Sequence, residues 1–484
     1  MYQFQEIIAE ISSLLWGWPM IILLIGTHLF LTIRLRFPQR NIIKAIKLSV
    51  KRDKGAKGEV SQFGALTTAL AATIGTGNIV GVGTAVALGG PGAVLWCWIT
   101  GVLGIATKYG EGLLAIKYRI HTISGKTLGG PMYALEYGLS KNSTGIMHHV
   151  WKCLAIAFAV FTAIATFGIG STVQANAIST LSAETYGFSP VMVGGIVTIL
   201  ATAVIMGGVK SIARCCEMLV PLMAALYVLG CIVILIINGP FVWPALKLIV
   251  VSAFNPEAAG GGFVGSSIII AMRFGIARGL FSNESGLGSA PIVAAAAQTK
   301  NPVRQALVSS SGTFWDTVVI CAMTGIVIVS SIIAYPDINM SDGGVLTKMA
   351  FSKIPYVGAP LLTFGSLTFA FSTILGWSYY GERAMEYIAN KVVRKKARSQ
   401  GIDVHGKSSE QLSSGVTGAI NTYRIVFLIT VYLGSVISLD LVWNLADMFN
   451  ALMAIPNLLS LIFLNGVIVS ETKKYLWNGN LDME

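Results

Sequence analysis

The chain has 484 residues, of which 54% are hydrophobic and 12% are charged. Soluble globular proteins carry about twice this share of charged residues, so the composition excludes an ordinary soluble domain. The formal net charge of +12 is concentrated in alternate loops, a pattern that sets orientation in a membrane and argues against nucleic acid as a partner. The composition therefore predicts an all-α polytopic membrane protein that is surrounded by membrane lipid.

Apolar runs long enough to cross a bilayer recur from one end of the chain to the other. We count about eleven such spans, near 12–33, 62–89, 92–117, 151–180, 187–207, 215–238, 263–299, 304–334, 357–390, 420–438 and 441–469. Lys and Arg are concentrated in the loops after the first, third, fifth, seventh and ninth spans. By the positive-inside rule, this pattern predicts an outside N-terminus and a cytoplasmic C-terminus in the plasma (inner) membrane.

The number of spans also predicts an internal repeat. With the first helix set aside, two groups of five spans remain, and they must have opposite topology, which indicates an inverted repeat. The chain then divides into an extra N-terminal helix with a basic cytoplasmic loop (1–61), a first repeat (62–238), an extracellular lid segment (239–262), a second repeat (263–470) and a cytoplasmic tail (471–484).

The second span contains a stretch that disfavours a helix. The residues Gly75-Thr76-Gly77-Asn78-Ile79-Val80-Gly81 interrupt the apolar run 62–89 with three glycines and an asparagine. Backbone groups that are freed at membrane depth need partners in protein or in a polar cavity. The N–H groups after the break suit a carboxylate, and the carbonyls of Ala71, Ala72 and Ile74 before it suit Na⁺.

The seventh span is interrupted at the matching position in the second repeat. Its residues 274–288 contain four glycines together with Arg278, Asn283 and Glu284. Two interrupted spans at matching positions are the sequence feature that best indicates a transport site near the membrane midplane. The alternative is that both stretches are glycine seams where helices pack closely. Packing does not need Asn, Glu or Arg, which favours the transport site.

Ionisable and amide groups at membrane depth are the next candidates, because burying them is costly. Arg278 and Glu284 flank the second break and suit either a gate or a structural pair. For Asp316, in the middle of the eighth span, three roles remain open: cation ligand, proton carrier or tie between helices. Gln174 in the fourth span can both donate and accept hydrogen bonds, so it suits an amino-acid head group or a polar helix contact.

Five motifs resemble those of the alanine or glycine:cation symporter family, and the match runs through nearly the whole chain. They are Ala71–Ile79 (AATIGTGNI), Gly129–Tyr133 (GGPMY), Gly279–Pro291 (GLFSNESGLGSAP), Gly376–Glu382 (GWSYYGE) and Ala454–Asn457 (AIPN). The resemblance implies Na⁺-coupled uptake of small neutral amino acids, with H⁺ as the coupling ion in some members. It also implies the APC-type inverted-repeat fold of the neurotransmitter:sodium symporters, in agreement with the two groups of five spans.

The resemblance also implies roles for individual residues, which fall into a substrate set and a sodium set. The substrate set comprises Gly75, Thr76, Gly77 and Asn78 facing the carboxylate, with Phe167, Gln174 and Trp377 lining the rest of the pocket. The sodium set comprises the Ala71 and Ile74 carbonyls and the Ser372 and Thr373 hydroxyls, which look like the second sodium site of the wider fold, and Asn78, which matches a position at its first sodium site. Arg278, Glu284 and Asp316 are the candidates for gating or coupling.

These observations predict a secondary active transporter and not an enzyme, since no catalytic motif is apparent. We expect Na⁺-coupled symport of alanine or glycine into the cell by alternating access, with D-alanine, serine and glutamine left open as substrates. The alternatives are an H⁺-coupled symporter, a passive channel and an amino-acid sensor on the same scaffold. A channel needs rings of polar residues along a pore, whereas polarity here is concentrated at two breaks.

Overall fold

The computed structural model describes residues 2–51, 53, 55–122, 125–255, 268–338, 340, 343–399, 409–437 and 440–483. Helices make up most of these residues, which confirms the all-α prediction. Within the described part of the chain, the one sheet is a two-stranded antiparallel hairpin in which Ile120–His121 pairs with Thr127–Leu128.

The first half of the chain forms helices α1 to α12. In order, they are α1 (Tyr2–Leu15), α2 (Trp18–Arg34), α3 (Ile42–Ser49), α4 (Gln62–Thr73), α5 (Val82–Gly89), α6 (Gly92–Lys117), α7 (Pro131–Tyr133), α8 (Gly145–Ala165), α9 (Val173–Tyr186), α10 (Pro190–Ile205), α11 (Gly208–Ile237) and α12 (Gly239–Ser252). Short π-helical segments precede α5 (Gly77–Gly81), follow α7 (Ala134–Leu139) and join α8 to α9 (Thr166–Thr172). The predicted N-terminal helix is split before α2, whose first turn contains a proline, a residue suited to a helix start.

The second half of the chain forms helices α13 to α21. In order, they are α13 (Ile268–Asn283), α14 (Ala290–Ala294), α15 (Pro302–Thr313), α16 (Ala322–Ala334), α17 (Leu346–Phe351), α18 (Gly358–Ser399), α19 (Ser409–Val436), α20 (Asp440–Phe463) and α21 (Asn465–Thr472). A π segment (Phe314–Cys321) joins α15 to α16, and another (Lys473–Trp477) follows α21. In the predicted lid segment 239–262, α12 covers the first part, and residues 256–262 lie outside the described residues.

The membrane-spanning helices agree with most of the predicted spans. Seven helices among the described residues are long and apolar enough to cross a membrane, and the bent pair Gln62–Thr73 and Gly77–Gly89 makes an eighth if it is one span. The predicted spans 92–117 and 187–207 correspond to α6 and α10, and the span 263–299 contains α13, a turn and α14. A multi-pass membrane protein is thereby confirmed, while the count of eleven and the inverted repeat remain predictions.

The first break is short and lies at the start of its predicted position, since the chain is helical again from Thr76. α4 ends at Thr73, Ile74 is extended (φ −76°, ψ 102°), and the next helical segment leaves at an angle of 54°. Gly75 occupies the bend at a point of close approach, because a Cβ there would lie 2.9 Å from Thr373 Oγ1. The break therefore brings the end of α4 against α18, which supplies Thr373.

The glycines at the start of the second predicted break are packing residues, so the prediction of an interruption there is wrong. α13 runs through Gly275 and Gly279 without a break. A Cβ on Gly275 would lie 2.3 Å from the Ala93 carbonyl oxygen, and one on Gly279 would lie 2.1 Å from Thr100 Oγ1, both on α6. Helices that approach this closely need glycine at the contact, which is the alternative that the sequence left open.

The second break itself comes after Asn283, between α13 and α14. Glu284, Gly286 and Gly288 there have φ angles of +52°, +96° and +84°. Glycine adopts this left-handed region at little cost, whereas a side chain such as that of Glu284 does so under strain. The break thus lies at the C-terminal end of the predicted stretch.

Candidate functional site

The first break leaves backbone donors at the start of its second half-helix. The Gly75 N–H donates to Asn78 Oδ1 at 3.0 Å, so this donor is already used within the break. Thr76 and Gly77 begin the next helical segment, and N–H groups in a first helical turn have no intrahelical acceptor. Two donors therefore remain for an anionic group, at the positive end of a helix dipole.

A small cavity lies between the two breaks. Its volume is about 20 Å³, which is room for about one water molecule. An amino acid can therefore occupy it only when the surrounding helices move apart. The wall contains the predicted substrate residues Gly75, Thr76, Gly77 and Gln174, the predicted sodium and gating residues Thr373 and Glu284, and also Ala72, Thr73, Ile169, Phe281 and Asn450.

Two predicted substrate residues lie behind the cavity wall. Trp377 is 1% exposed, and its Nε1 donates to the Ala72 carbonyl at 3.3 Å. The Phe167 ring packs against Tyr423, with 4.9 Å between the ring centroids. Trp377 thereby supports the end of α4 in this structure, and Phe167 contacts α19.

Gln174 presents an unused acceptor to the cavity. Its Nε2 donates to the Ile169 carbonyl at 3.1 Å, while its Oε1 is buried without a hydrogen-bond partner among the described residues. A Cβ on Gly75 would lie 3.8 Å from this Oε1, so the acceptor faces the first break. Leaving a buried acceptor unpaired costs about 1–3 kcal/mol. A donor such as an ammonium group would remove that cost.

Most of the predicted sodium ligands converge on the end of α4. The Thr373 and Ser372 hydroxyls donate to the Ala71 carbonyl oxygen at 3.0 and 3.3 Å. All three groups present oxygen atoms, which are the ligands that hard cations prefer. This set of oxygen ligands therefore fits Na⁺. Ile74, the next predicted ligand, lies in the extended bend after α4. Asn78 lies apart from this set, because its side chain donates to Asp316.

Asp316 connects the two broken helices. Its carboxylate is fully buried and accepts hydrogen bonds from Asn78 Nδ2 at 2.7 Å, Ser282 Oγ at 3.0 Å and Thr317 Oγ1 at 2.6 Å. Asn78 belongs to the first break and Ser282 to α13. Of the three roles left open by the sequence, the tie between helices is the one that these contacts display, and all three contacts come from neutral groups.

Arg278 and Glu284 do not form an ion pair among the described residues. Arg278 lies within α13, whereas Glu284 follows the end of that helix. The Arg278 guanidinium interacts electrostatically with the Asp447 carboxylate on α20. Glu284 Oε2 instead accepts a hydrogen bond from Ser289 Oγ at 2.6 Å. Glu284 lies at the cavity, so the two residues belong to different environments.

Two buried charged residues of α6 were not singled out from the sequence. Glu111 Oε1 accepts hydrogen bonds from the Gly286 and Gly288 N–H groups at 3.0 and 3.1 Å and from Asn457 Nδ2 at 2.7 Å. Lys108 Nζ is buried without a hydrogen-bond partner among the described residues. Both are ionisable residues inside the predicted span 92–117, so the cost of burying charge in a membrane was a signal that could have identified them.

Comparisons with known proteins identify the relatives of this chain. The family model described as the sodium:alanine symporter family matches residues 1–483. The chain is 44% identical to the sodium/alanine symporter AgcS of Methanococcus maripaludis over 98% of this chain and 97% of that protein. It is 34% identical to the probable sodium/glutamine symporter GlnT of Bacillus subtilis, over 97% and 90% of the two chains. A solved Na⁺-coupled sialic acid symporter aligns with a TM-score of 0.49 and 12% identity, covering 95% of this chain and 86% of that one.

The family match extends over almost every residue, and the relatives are covered over nearly their whole length. The family consists of sodium-coupled symporters, which confirms the prediction of a transporter and not an enzyme. The chain belongs to the sodium:alanine symporter family.

Proposed function

We propose that this protein carries a small neutral amino acid into the cell together with Na⁺, and that alanine or glycine is the substrate. The observation that carries the proposal is the cavity between the two breaks. Thr76 and Gly77, which begin a half-helix, line this cavity, and so does Gln174, whose Oε1 has no hydrogen-bond partner among the described residues. A zwitterion needs donors for its carboxylate and an acceptor for its ammonium group, and this cavity offers both.

The size of the cavity supports a small substrate. The substrate carboxylate would bind the Thr76 and Gly77 N–H groups, and its ammonium group would bind Gln174 Oε1. The side chain would then point toward the walls that Phe281 and Ile169 form. Serine, D-alanine and glutamine remain possible substrates, but a longer side chain needs a larger movement of these walls.

The coupling cation would be held by the Ala71 and Ile74 carbonyls and the Ser372 and Thr373 hydroxyls, with Asn78 at a separate position near the substrate. A bound cation supplies positive charge close to the substrate carboxylate. Moving one positive charge inward releases about 2.3 kcal/mol per 100 mV of membrane potential. This energy would drive uptake in addition to the Na⁺ concentration gradient.

Transport would proceed by alternating access in the plasma (inner) membrane, with the N-terminus outside and the C-terminus in the cytoplasm. The repeats 62–238 and 263–470 would rock around the cavity, while 239–262 would cover the outer face and 1–61 and 471–484 would lie outside the repeats. Arg278 near Asp447 would contribute to a gate. Glu284, at the cavity, would contribute to coupling.

A proton is the alternative coupling ion, and Asp316 is the residue that favours it. Its buried carboxylate receives hydrogen bonds from three neutral groups only, so a proton could neutralise it. Asp316→Asn keeps an acceptor but cannot carry a proton. If H⁺ is the coupling ion, this variant loses uptake driven by a pH gradient; if Na⁺ is, the variant still responds to a Na⁺ gradient.

The deciding experiment is uptake of radiolabelled alanine into proteoliposomes with an imposed Na⁺ gradient, an imposed pH gradient, both or neither. We expect accumulation to require inward Na⁺ and to be competed by glycine. Competition by serine, D-alanine and glutamine would define the substrate range. Uptake that needs neither gradient would contradict symport and favour a passive channel.

A matched pair of variants tests the pocket. Gln174→Leu removes the unused acceptor with little change in size, and we expect the KM for alanine to rise about tenfold, as for a lost hydrogen bond to a charged group. Asn176→Leu is the control, because Asn176 is on the same helix, does not line the cavity and donates to the Gly434 carbonyl. An equal change in both variants would remove Gln174 from the pocket.

A further inference from the structure

Two adjacent cavities of different polarity lie beside α4, away from the cavity between the breaks. The first, of about 160 Å³, is lined mainly by polar residues, which include Lys51, Ser61 and Glu217. The second, of about 400 Å³, is almost entirely apolar. Both are bordered by Ser49, Val50 and Phe63, so they lie side by side.

The apolar part is a groove that runs along α4. Its walls come from α3, α4, α11 and the π segment Phe314–Cys321, and it extends from Phe63 to Ile74. Eleven residues of helix correspond to about 16 Å, a length suited to an extended acyl chain. Pro221 and Ala225 on its α11 wall are exposed, so the groove opens sideways toward lipid.

The polar part contains one cation, one anion and one unused acceptor. Lys51 is exposed and forms a long, solvent-exposed ion pair with Asp482 at 3.8 Å, which contributes little and can be exchanged. Glu217 Oε1 accepts a hydrogen bond from Ser61 Oγ at 2.8 Å. The Gln62 side chain is 2% exposed; its Nε2 donates to Thr299 Oγ1 at 3.1 Å, and its Oε1 has no partner among the described residues. An occupant that offers both an anionic group and hydrogen-bond donors on a cation would match this set.

We propose that this space binds a phospholipid whose head group carries a phosphate and a primary ammonium, as in phosphatidylethanolamine. The phosphate pairs with Lys51, the ammonium donates to Glu217 and to Gln62 Oε1, and one acyl chain lies in the groove. A purely anionic head group would leave Glu217 facing a like charge. A choline head group has no N–H to donate to Gln62 Oε1.

The position of the groove gives the lipid a consequence for transport. Its far end is formed by Ile74, in the bend of the first break, and by Trp315, next to Asp316. The groove therefore reaches the bend of the first break and the residue next to Asp316, whose carboxylate accepts a hydrogen bond from Asn78. A chain in the groove fills space next to the segment that has to move when the central cavity opens, so transport depends on the lipid whichever amino acid is carried.

Native mass spectrometry of the full chain in detergent tests this site. The protein is incubated with an equimolar mixture of phosphatidylethanolamine, phosphatidylcholine and phosphatidylglycerol, and the retained lipid is identified by mass. We expect phosphatidylethanolamine to be retained preferentially. Glu217→Gln, which keeps the oxygen that Ser61 contacts, should reduce the preference over phosphatidylcholine about tenfold.

A second pair of variants tests the groove. Ala225→Trp fills it, and we expect retention of phosphatidylethanolamine to fall about tenfold or more. Leu222→Trp is the control, because Leu222 is an exposed residue of the same helix outside the groove. Thermal unfolding by circular dichroism establishes that both variants are folded.

Three outcomes would overturn the proposal. They are a preference for phosphatidylglycerol, equal retention of phosphatidylcholine and phosphatidylethanolamine by the unaltered chain, and equal retention of phosphatidylethanolamine by folded Ala225→Trp and Leu222→Trp. Lys51→Ala tests the phosphate contact, with Lys44→Ala as its control, because Lys44 is an exposed lysine of α3 outside both cavities. Equal retention of phosphatidylethanolamine by these two variants would likewise contradict the proposal.

Discussion

The two helix breaks satisfy their freed backbone groups in different ways. At the first break, Asn78 Oδ1 accepts a hydrogen bond from the Gly75 N–H, and Thr76 and Gly77 line the central cavity. At the second, the Gly286 and Gly288 N–H groups bind the Glu111 carboxylate of α6. An internal carboxylate thus occupies at the second break the kind of position that we propose for the substrate carboxylate at the first. The first break is suited to exchange its anion, and the second to keep it.

The largest effect is expected from removing the carboxylate that the second break keeps. Glu111→Leu leaves the Gly286 and Gly288 N–H groups without their acceptor and removes one of the two acceptors of Asn457 Nδ2. It also leaves Lys108 buried with less compensating charge. Breaking a buried charged network by removing one partner costs about 3–5 kcal/mol. We expect the melting temperature in detergent, followed by circular dichroism, to fall steeply or the protein not to fold.

Glu111→Gln is the matched variant, since its amide keeps one oxygen for the same donors. It should retain most of the stability that Glu111→Leu loses. If both variants were as stable as the unaltered chain, the second break would not depend on Glu111, and the contrast between the breaks would fail.

The next effect concerns the donors that the first break leaves free. Thr76→Pro deletes one N–H, and Thr76 already has φ −58°, which is within the range of proline. We expect the protein to fold and the KM for alanine to rise about tenfold or more, because hydrogen bonds to charged groups contribute about 1.5–3 kcal/mol. The measurement is Na⁺-driven uptake into proteoliposomes.

Thr76→Ala is the control for that variant, because it removes the side chain and keeps the N–H. It should change KM much less than Thr76→Pro. Equal losses in the two variants would show that the threonine side chain, rather than the backbone donor, contacts the substrate.

The sequence predicted the first break well because its signal is local. A run of glycines and an asparagine inside an apolar span disfavours a helix whatever surrounds it, and the break falls at Ile74 and Gly75, where that run begins. The helical class also follows from the composition, whereas Ser372 and Thr373, which donate to the Ala71 carbonyl, were singled out only by the family resemblance. The positions of these groups relative to a cavity depend on packing, and so Trp377 and Phe167 lie behind its wall.

The second break was harder to locate because glycine has two uses in a membrane helix. Gly275 and Gly279 allow α13 to approach α6, whereas Gly286 and Gly288 permit a left-handed turn. Both uses produce the same residue in the sequence, and only the neighbouring helix distinguishes them. The role of Glu111 was missed for the same reason: Gly286 and Gly288 are 175 and 177 residues away in the chain, and Asn457 is 346 residues away.

The packing glycines of α13 give the third prediction. Gly279→Ala places a Cβ 2.1 Å from Thr100 Oγ1, and overpacking of this kind costs about 1–3 kcal/mol. Gly365→Ala on α18 is the control, because no atom lies within 4 Å of a Cβ there, and it should be neutral or slightly stabilising. Thermal unfolding separates the two. An unchanged melting temperature for Gly279→Ala would mean that α6 and α13 can separate freely.

The smallest change in stability is expected at Glu284, which is at the second break but faces the cavity of the first. Glu284→Gly relieves a left-handed backbone that costs a non-glycine residue about 1–2 kcal/mol. It also removes the hydrogen bond that Ser289 donates to the carboxylate, worth about 1.5–3 kcal/mol. These effects oppose each other and largely cancel, so the melting temperature should change little while Na⁺-driven uptake falls. A large loss of stability would instead make Glu284 a structural anchor like Glu111, and the second break would then contribute nothing to the transport site beyond holding its own turn.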